Sequence, residues 1–220
     1  MPDDFLHRYA QWEIEVLLQL HPDLRLRPSS KDVVVLTGTI AFSAQKPGYE
    51  QIDDAFDVDI KVPNQFPQEF PHVWEIGSRI PPTYHKLQDG SLCLGSPARI
   101  RLAIKQSPTL VAFVQFCVIP YLYGFAFQER FQTLPFGELS HGMAGLREDY
   151  AELFGVEGEK LAVEMVRLAS LHKRDANRLP CPCGSEKRVG KCHNRRVNEM
   201  RELLGRKWLA DEFHRLSRIR

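Results

Sequence analysis

Apolar residues return every three or four positions near the start of the chain, at Phe5, Tyr9, Trp12, Val16 and Leu20. This spacing predicts one amphipathic helix over 4–20, ended by His21 and Pro22. The period then shortens to two. Val34, Leu36, Ile40 and Phe42 alternate with Val35, Thr37, Thr39 and Ser43, and Phe56, Val58, Ile60 and Val62 alternate with Asp57, Asp59 and Lys61. Successive side chains of a strand point to opposite faces, so both runs predict strands with one buried face. Gln45-Lys46-Pro47-Gly48 between them carries turn residues and suggests a meander. A third strand is expected at 72–76, after Pro63, Pro67 and Pro71, which cannot hold a regular ladder.

Residues 109–123 (TLVAFVQFCVIPYLY) are apolar nearly all round, which predicts a helix buried in the core. Ser107 is the expected N-cap, Pro108 falls in the first turn, and Pro120 is expected to kink or end the helix. A polar loop and a helix containing Leu146, Tyr150 and Leu153 occupy 135–155. A further helix over 157–172 places Leu161, Met165, Leu168 and Leu171 on one face, and a small module follows Pro180. A last helix over 194–217 carries Val197, Leu204, Trp208 and Phe213. Together these elements predict an α+β fold, with no internal repeat and no low-complexity tract.

A length of 220 residues permits one domain of ordinary size plus a small appendage, and 43% apolar residues exclude a wholly disordered chain. No unbroken apolar run reaches membrane-span length, and MPDDFLHRYA lacks the basic and apolar regions of a signal peptide. The expectation is a cytoplasmic protein with no membrane partner. A net charge of +1 hides an asymmetry, because 172–220 holds 14 Lys/Arg against 6 Asp/Glu, net +8, which leaves −7 for the first 171 residues. Lys187, Arg188, Lys191, Arg195 and Arg196, with Arg201, Arg206 and Lys207 beyond, could meet the phosphates of a nucleic acid or an acidic protein surface. The alternative is a solvated helix face, and no aromatic interleaving of the kind that stacks single-stranded bases is present.

Five cysteines cannot all pair. Cys181, Cys183 and Cys192 crowd beside His193 as C-x-C-x8-C-H, four ligands that suit tetrahedral Zn²⁺ in a segment with too little core to fold alone. A closed site of this kind is structural and implies no metal-based catalysis. Cys-Pro-Cys-Gly-Ser followed by Lys-Cys-His is similar to the SEC-C motif, a zinc knuckle attached to many unrelated bacterial proteins. Cys93, in Asp89-Gly90-Ser91-Leu92-Cys93-Leu94-Gly95-Ser96, has glycines on both sides that would let a substrate tail approach. It is a candidate reactive thiol, the alternative being a small buried hydrophobe, whereas Cys117 lies within the apolar helix and reads as core.

Phe66-Pro67, Phe70-Pro71, Tyr84-His85, Gly90-x-Leu92-Cys93-Leu94 and Ser107-Pro108-Thr109-Leu110 follow one another in a particular order and spacing. In this the first two thirds of the chain resembles the ubiquitin-conjugating (E2) enzymes, most closely their compact prokaryotic E2-like branch. The resemblance implies an E2/UBC-like fold over 1–155, a helical connector over 156–178 and the SEC-C knuckle with a basic helix over 179–220. It also implies a carrier whose Cys93 accepts a ubiquitin-like modifier from an E1-like adenylating enzyme as a thioester and passes it to an amine on a protein target, in a bacterial and often antiviral setting. Asp89, Gly90, Ser91 and His85 would shape the rim, with His85, Ser91 or a backbone N–H near Gly90 as a donor. Lys86 and Leu87 follow His85 where the family has proline and asparagine, so the asparagine that would stabilise the oxyanion has no counterpart. His85 could act as a general base or bond the local backbone of its turn. Three other readings stay open: a non-catalytic E2-like scaffold, a nucleic-acid-binding protein acting through the basic tail, and a papain-like hydrolase with His141 as partner of Cys93.

Overall fold

The computed structural model describes residues 2–30, 33–136 and 142–218. The chain divides into two units, Met1–Gly137 and Glu138–Arg220, giving an α+β architecture with an all-helical second part. In the first unit, β1 (Leu24–Ser30), β2 (Val33–Ala44), β3 (Ile52–Pro63) and β4 (His72–Glu75) form one antiparallel sheet in sequential order. The alternation that foretold β2 and β3 is the alternation that buries them: Val34, Leu36 and Ile40 face Phe56, Val58, Ile60 and Val62 within the core. On the opposite face the paired Thr39 and Asp57 hydrogen-bond at 2.6 Å, and Thr37 likewise donates to Asp59. β1 was not foreseen. It approaches β2 so closely that a Cβ on Gly38, at φ 134°, would lie 2.1 Å from the carbonyl oxygen of Asp23.

Beyond α3 (Pro97–Ala103), the buried face of the sheet is covered by α4 (Leu110–Phe113), a single π turn (Val114–Val118) and α5 (Ile119–Phe131) in unbroken succession. By length and composition this apolar stretch could cross a membrane, contrary to the expectation that no run does, but most of it lies buried inside the unit. Pro120 does not end the helix. It falls just past the π turn, within the continuous helix, at the point where the regular α hydrogen-bond pattern is already interrupted. The N-cap is Thr109, whose hydroxyl accepts the Ala112 N–H at 3.3 Å, two residues beyond the expected Ser107.

The N-terminal helix is broken into α1 (Pro2–Gln11) and α2 (Ile14–Leu20) at Glu13, which adopts φ 55°. The break frees the Trp12 carbonyl to accept the otherwise unpaired N–H of Leu110, at 3.0 Å, while the buried Trp12 ring meets Phe66 edge-on at 5.7 Å. After β4, Arg79 grips Asp54 with two hydrogen bonds of 2.8 Å, reaches Glu129 at 2.5 Å and lies over Phe56. The Arg79 hydrogen bond, opposed in part by burial, holds the Asp54 carboxyl below its usual range. The pair therefore contributes its full stability above the ordinary carboxylate pKa and loses it as the pH falls through the depressed value. We predict that Arg79→Gln, at a partly exposed and salt-screened site, costs about 1 kcal/mol at pH 7. Urea unfolding near pH 3 should show a smaller loss, and an equal loss at both pH values would contradict the electrostatic account.

In the second unit, α6 (Gly142–Phe154), α7 (Glu159–Ser170), α9 (Asn194–Leu204) and α10 (Arg206–Ser217) bury Tyr150, Phe154, Met165, Val166, Leu168, Val197, Met200 and Leu209 against one another. The short α8 (Lys173–Ala176) precedes the cysteine-rich segment. The single helix expected over 194–217 is two, separated at Gly205 with φ 85°. α6, which the sequence placed within 1–155, packs here against α7. Arg201 is buried, and its guanidinium donates to the carbonyls of Leu168 at 2.9 Å, Ala169 at 3.1 Å and Leu171 at 3.0 Å. These carbonyls lie at the end of α7, where helical partners run out and the Leu168 carbonyl accepts a long bond, 3.3 Å, from the Leu171 N–H, and a cation there also opposes the negative pole of the helix. Arg201 therefore does not belong to the free basic face expected of it.

Candidate thiol site and candidate metal centre

Cys93 is a half-buried free thiol at the end of a closed turn beside the outer edge of β4. The Leu92 N–H bonds the Val73 carbonyl of β4 at 2.7 Å, Leu87 donates to Ser91 at 2.7 Å, and Gly90, at φ 81°, donates to Leu87 at 2.9 Å. The Cys93 N–H bonds the carbonyl of His85 at 2.8 Å, which ties thiol and histidine through the backbone. His85 itself holds φ 34°, and its ring packs edge-on to Tyr84 at 4.9 Å. The Asp89 carboxylate accepts the Ser91 N–H at 3.0 Å and the Ser91 hydroxyl at 2.6 Å, and these two bonds hold its carboxyl below the ordinary range. Ser91 is fully buried with its proton given to Asp89, so it builds the turn and offers no donor at the rim. The Gly90 N–H is likewise spent within the turn. Trp74 donates to the Asp89 carbonyl at 3.1 Å and stacks on His72, whose Nδ1 lies 3.6 Å from the Asp89 carboxylate.

Two residues that hold this turn escaped the sequence reading. The Tyr121 hydroxyl, from α5, donates to the carbonyls of Tyr84 at 3.0 Å and His85 at 3.2 Å. Burial, and then the neighbouring Tyr84, Cys93 and Glu75, push its ionisation upward. Glu75, at the end of β4, buries its carboxylate against the N–H groups of Arg79 (3.1 Å) and Ile80 (3.2 Å) and lies 4.0 Å from the Lys86 ammonium. Lys86 in turn donates to the Ile80 carbonyl at 2.7 Å. Among the described residues nothing accepts from the backbone N–H groups of Leu94 and Gly95, directly after the thiol. Free amides in that position can stabilise an oxyanion formed at an acyl group on Cys93. Cys117, by contrast, is buried, and burial pushes its thiol up to about 12, which makes it inert. His141, the candidate partner in a hydrolase, lies outside the described residues.

The second site lies between α8 and α9. Cys181, Cys183, Cys192 and His193 bring their ligand atoms within 4.8 Å of one another and could hold a metal ion. The His193 Nδ1 stands 3.1 Å from the Cys181 sulfur and 3.3 Å from that of Cys192, and the Cys183 sulfur lies 3.3 Å from Cys181 and 3.5 Å from Cys192. Sulfurs at these separations are too far apart for a disulfide, and close to the edge of about 3.7 Å that a tetrahedron of thiolates around one ion would have. Hydrogen bonds from Ser185, then the Cys181 thiol, lower the Cys183 thiol to about 6, while burial raises Cys181. The Cys181 N–H bonds the Lys187 carbonyl at 2.7 Å and the Cys192 N–H bonds that of Val189 at 3.1 Å, so the loop that carries the ligands is also closed by its backbone.

No family model, curated protein or solved structure matches the chain.

Proposed function

We propose that the chain is an E2-like carrier, in which Cys93 holds a ubiquitin-like protein as a thioester. The observation that carries this reading is the thiol itself: half-exposed, fixed by the backbone to β4 and His85, and followed by two unpaired amides. The order of elements agrees with a UBC-like domain, since a helical N-terminus, a four-stranded antiparallel meander, the cysteine turn and a buried helix follow one another along the first unit. In the first step the Cys93 thiolate attacks the carbonyl of the modifier's C-terminal residue, held as a thioester on an E1-like enzyme, and the E1 thiol leaves. In the second step a target amine attacks the Cys93 thioester, the Cys93 thiolate leaves and the amine gives up a proton, forming an amide. The amides of Leu94 and Gly95 take the role of the missing asparagine for the oxyanion of both tetrahedral intermediates.

The metal in this reading is a structural Zn²⁺. Three thiolates and an imidazole form a soft, four-membered donor set with no position left for a substrate. The test of the carrier is the intact mass of the protein, without reductant, after co-expression with E1-like and ubiquitin-like proteins. Wild type should carry a thiol-sensitive adduct, Cys93→Ala none, and Cys93→Ser a thiol-resistant ester. An uncharged wild type beside a normally charged E1-like partner would remove the carrier role. The non-catalytic scaffold would then lead, and the absence of an asparagine from the turn favours it.

A further inference from the structure

Lys173, Arg174, Arg178, Lys187, Arg188 and Lys191 lie on two adjoining segments of the second unit, which between them contain two carboxylates, Asp175 and Glu186. The segments are joined backbone to backbone, by the Val189 N–H on the Leu179 carbonyl at 2.9 Å and the Gly190 N–H on the Asn177 carbonyl at 3.1 Å. A concavity of about 560 Å³ opens where they meet, lined by Asn177, Lys187, Arg188, Gly190 and Lys191. Three of those five residues are cationic and none is acidic. The three are exposed, and among the described residues none of the six cations forms an ion pair.

Several other basic residues of the tail are engaged. Arg201 caps α7, Arg196 bonds the Leu153 carbonyl and Glu199, and Arg206 bonds the Ser170 carbonyl and His172. Arg195, Lys207 and Arg218 are unpaired among the described residues but line no part of the concavity, which holds three unpaired cations together. An acidic protein partner would be expected to anchor on large apolar side chains at the centre of its interface. The large apolar residues exposed on the described chain, Val16, Leu20, Tyr49, Ile76, Leu87, Phe116, Phe131 and Phe136, all belong to the first unit. A phosphate backbone needs no such anchor, since charge and donors suffice to hold it.

We propose that this concavity binds the phosphodiester backbone of a nucleic acid, without reading its sequence. Lys187, Arg188 and Lys191 contact successive phosphates, and the closed loop of the metal centre fixes their spacing. The site belongs to the second unit and the Cys93 turn to the first, and the proposal stands whether or not the carrier reading does.

The test uses the metal-loaded full chain and fluorescence anisotropy with labelled single-stranded RNA, single-stranded DNA and duplex DNA over a range of salt. The variant Lys187→Gln/Arg188→Gln/Lys191→Gln should weaken binding at least about tenfold and flatten the slope of log affinity against log salt by about 2 to 3. The single variant Lys187→Gln should produce about a third of that slope change, which provides a reading if the triple variant loses its metal. A charge-matched control, Lys160→Gln/Lys207→Gln/Arg218→Gln, should lose much less. Binding to RNA, to DNA or to both upholds the site and names its source. The proposal is overturned if no oligonucleotide binds, if control and triple variant lose affinity equally, or if polyglutamate competes as well as an oligonucleotide, which would point to an acidic protein.

Discussion

Removal of the metal proposed for Cys181, Cys183, Cys192 and His193 is expected to unravel residues 179–193 while leaving the helices of the second unit packed. The reason lies in what each part buries. Within the ligand-bearing segment, Cys181 and Val189 are the buried apolar side chains, too little to offset the cost of ordering so many residues. A structural zinc supplies on the order of 10 kcal/mol in such segments, and without it the backbone bonds at Cys181, Val189 and Gly190 lose their support. The helices differ, since Tyr150, Phe154, Met165, Leu168, Met200 and Leu209 form an apolar core with no metal in it. Hydrogen exchange with and without a chelator is the measurement. Amides of 181–192 should lose protection by several orders of magnitude, while α6, α7 and α10 exchange as before. Unchanged protection at Val189 and Gly190 after verified metal loss would sink the idea, and Cys183→Ser should reproduce the chelated pattern in part.

The second large effect is expected from Glu75→Ala. The carboxylate is buried, and its removal leaves the N–H groups of Arg79 and Ile80 without acceptors and the half-buried Lys86 ammonium without its counter-charge. Unsatisfied buried donors cost about 1–3 kcal/mol each and an orphaned buried charge costs more, so a loss of about 3 kcal/mol is expected in urea unfolding. Lys86 pairs with Leu92 in the bridge that closes the cysteine turn, so the damage reaches the thiol. Alkylation of Cys93 in the folded protein should accelerate several-fold, whereas Glu75→Gln, which keeps one acceptor, should fall between the two. A variant as stable as wild type and with unchanged alkylation would show that the buried carboxylate does not organise the turn.

What the sequence disclosed was local, and what it withheld came from distant parts of the chain. β2 and β3 were legible because alternation over ten residues has no other common cause, and the cluster that could hold a metal was legible because few other uses explain three cysteines and a histidine at that spacing. β1 was hidden because Leu24 and Leu26 offer two apolar positions before Pro28 and two serines interrupt the pattern. The breaks at Glu13 and Gly205 were hidden for another reason. Apolar spacing runs on across both, and the first is stabilised by a hydrogen bond to Leu110, nearly a hundred residues away. The thiol turn shows the same division. Cys93, His85 and Asp89 could be named from their neighbourhood, but Tyr121 lay within an apolar run that read as core, and its bond to the His85 carbonyl spans 36 residues.

The cap that Arg201 places on α7 has a bearing on modularity. It joins a helix that precedes the metal loop to one that follows it, and α9 and α10 both pack on α7. The loop is thus an insertion into a helical bundle, and a chain cut at 178 would lose two of the four longer helices. Met165, Val166 and Leu168 would face water and the carbonyls of α7 would lose their cation. Grafting the metal loop onto another protein, or deleting it from this one, would have to respect that closure, with α6, α7, α9 and α10 exchanged together as the smallest transferable piece.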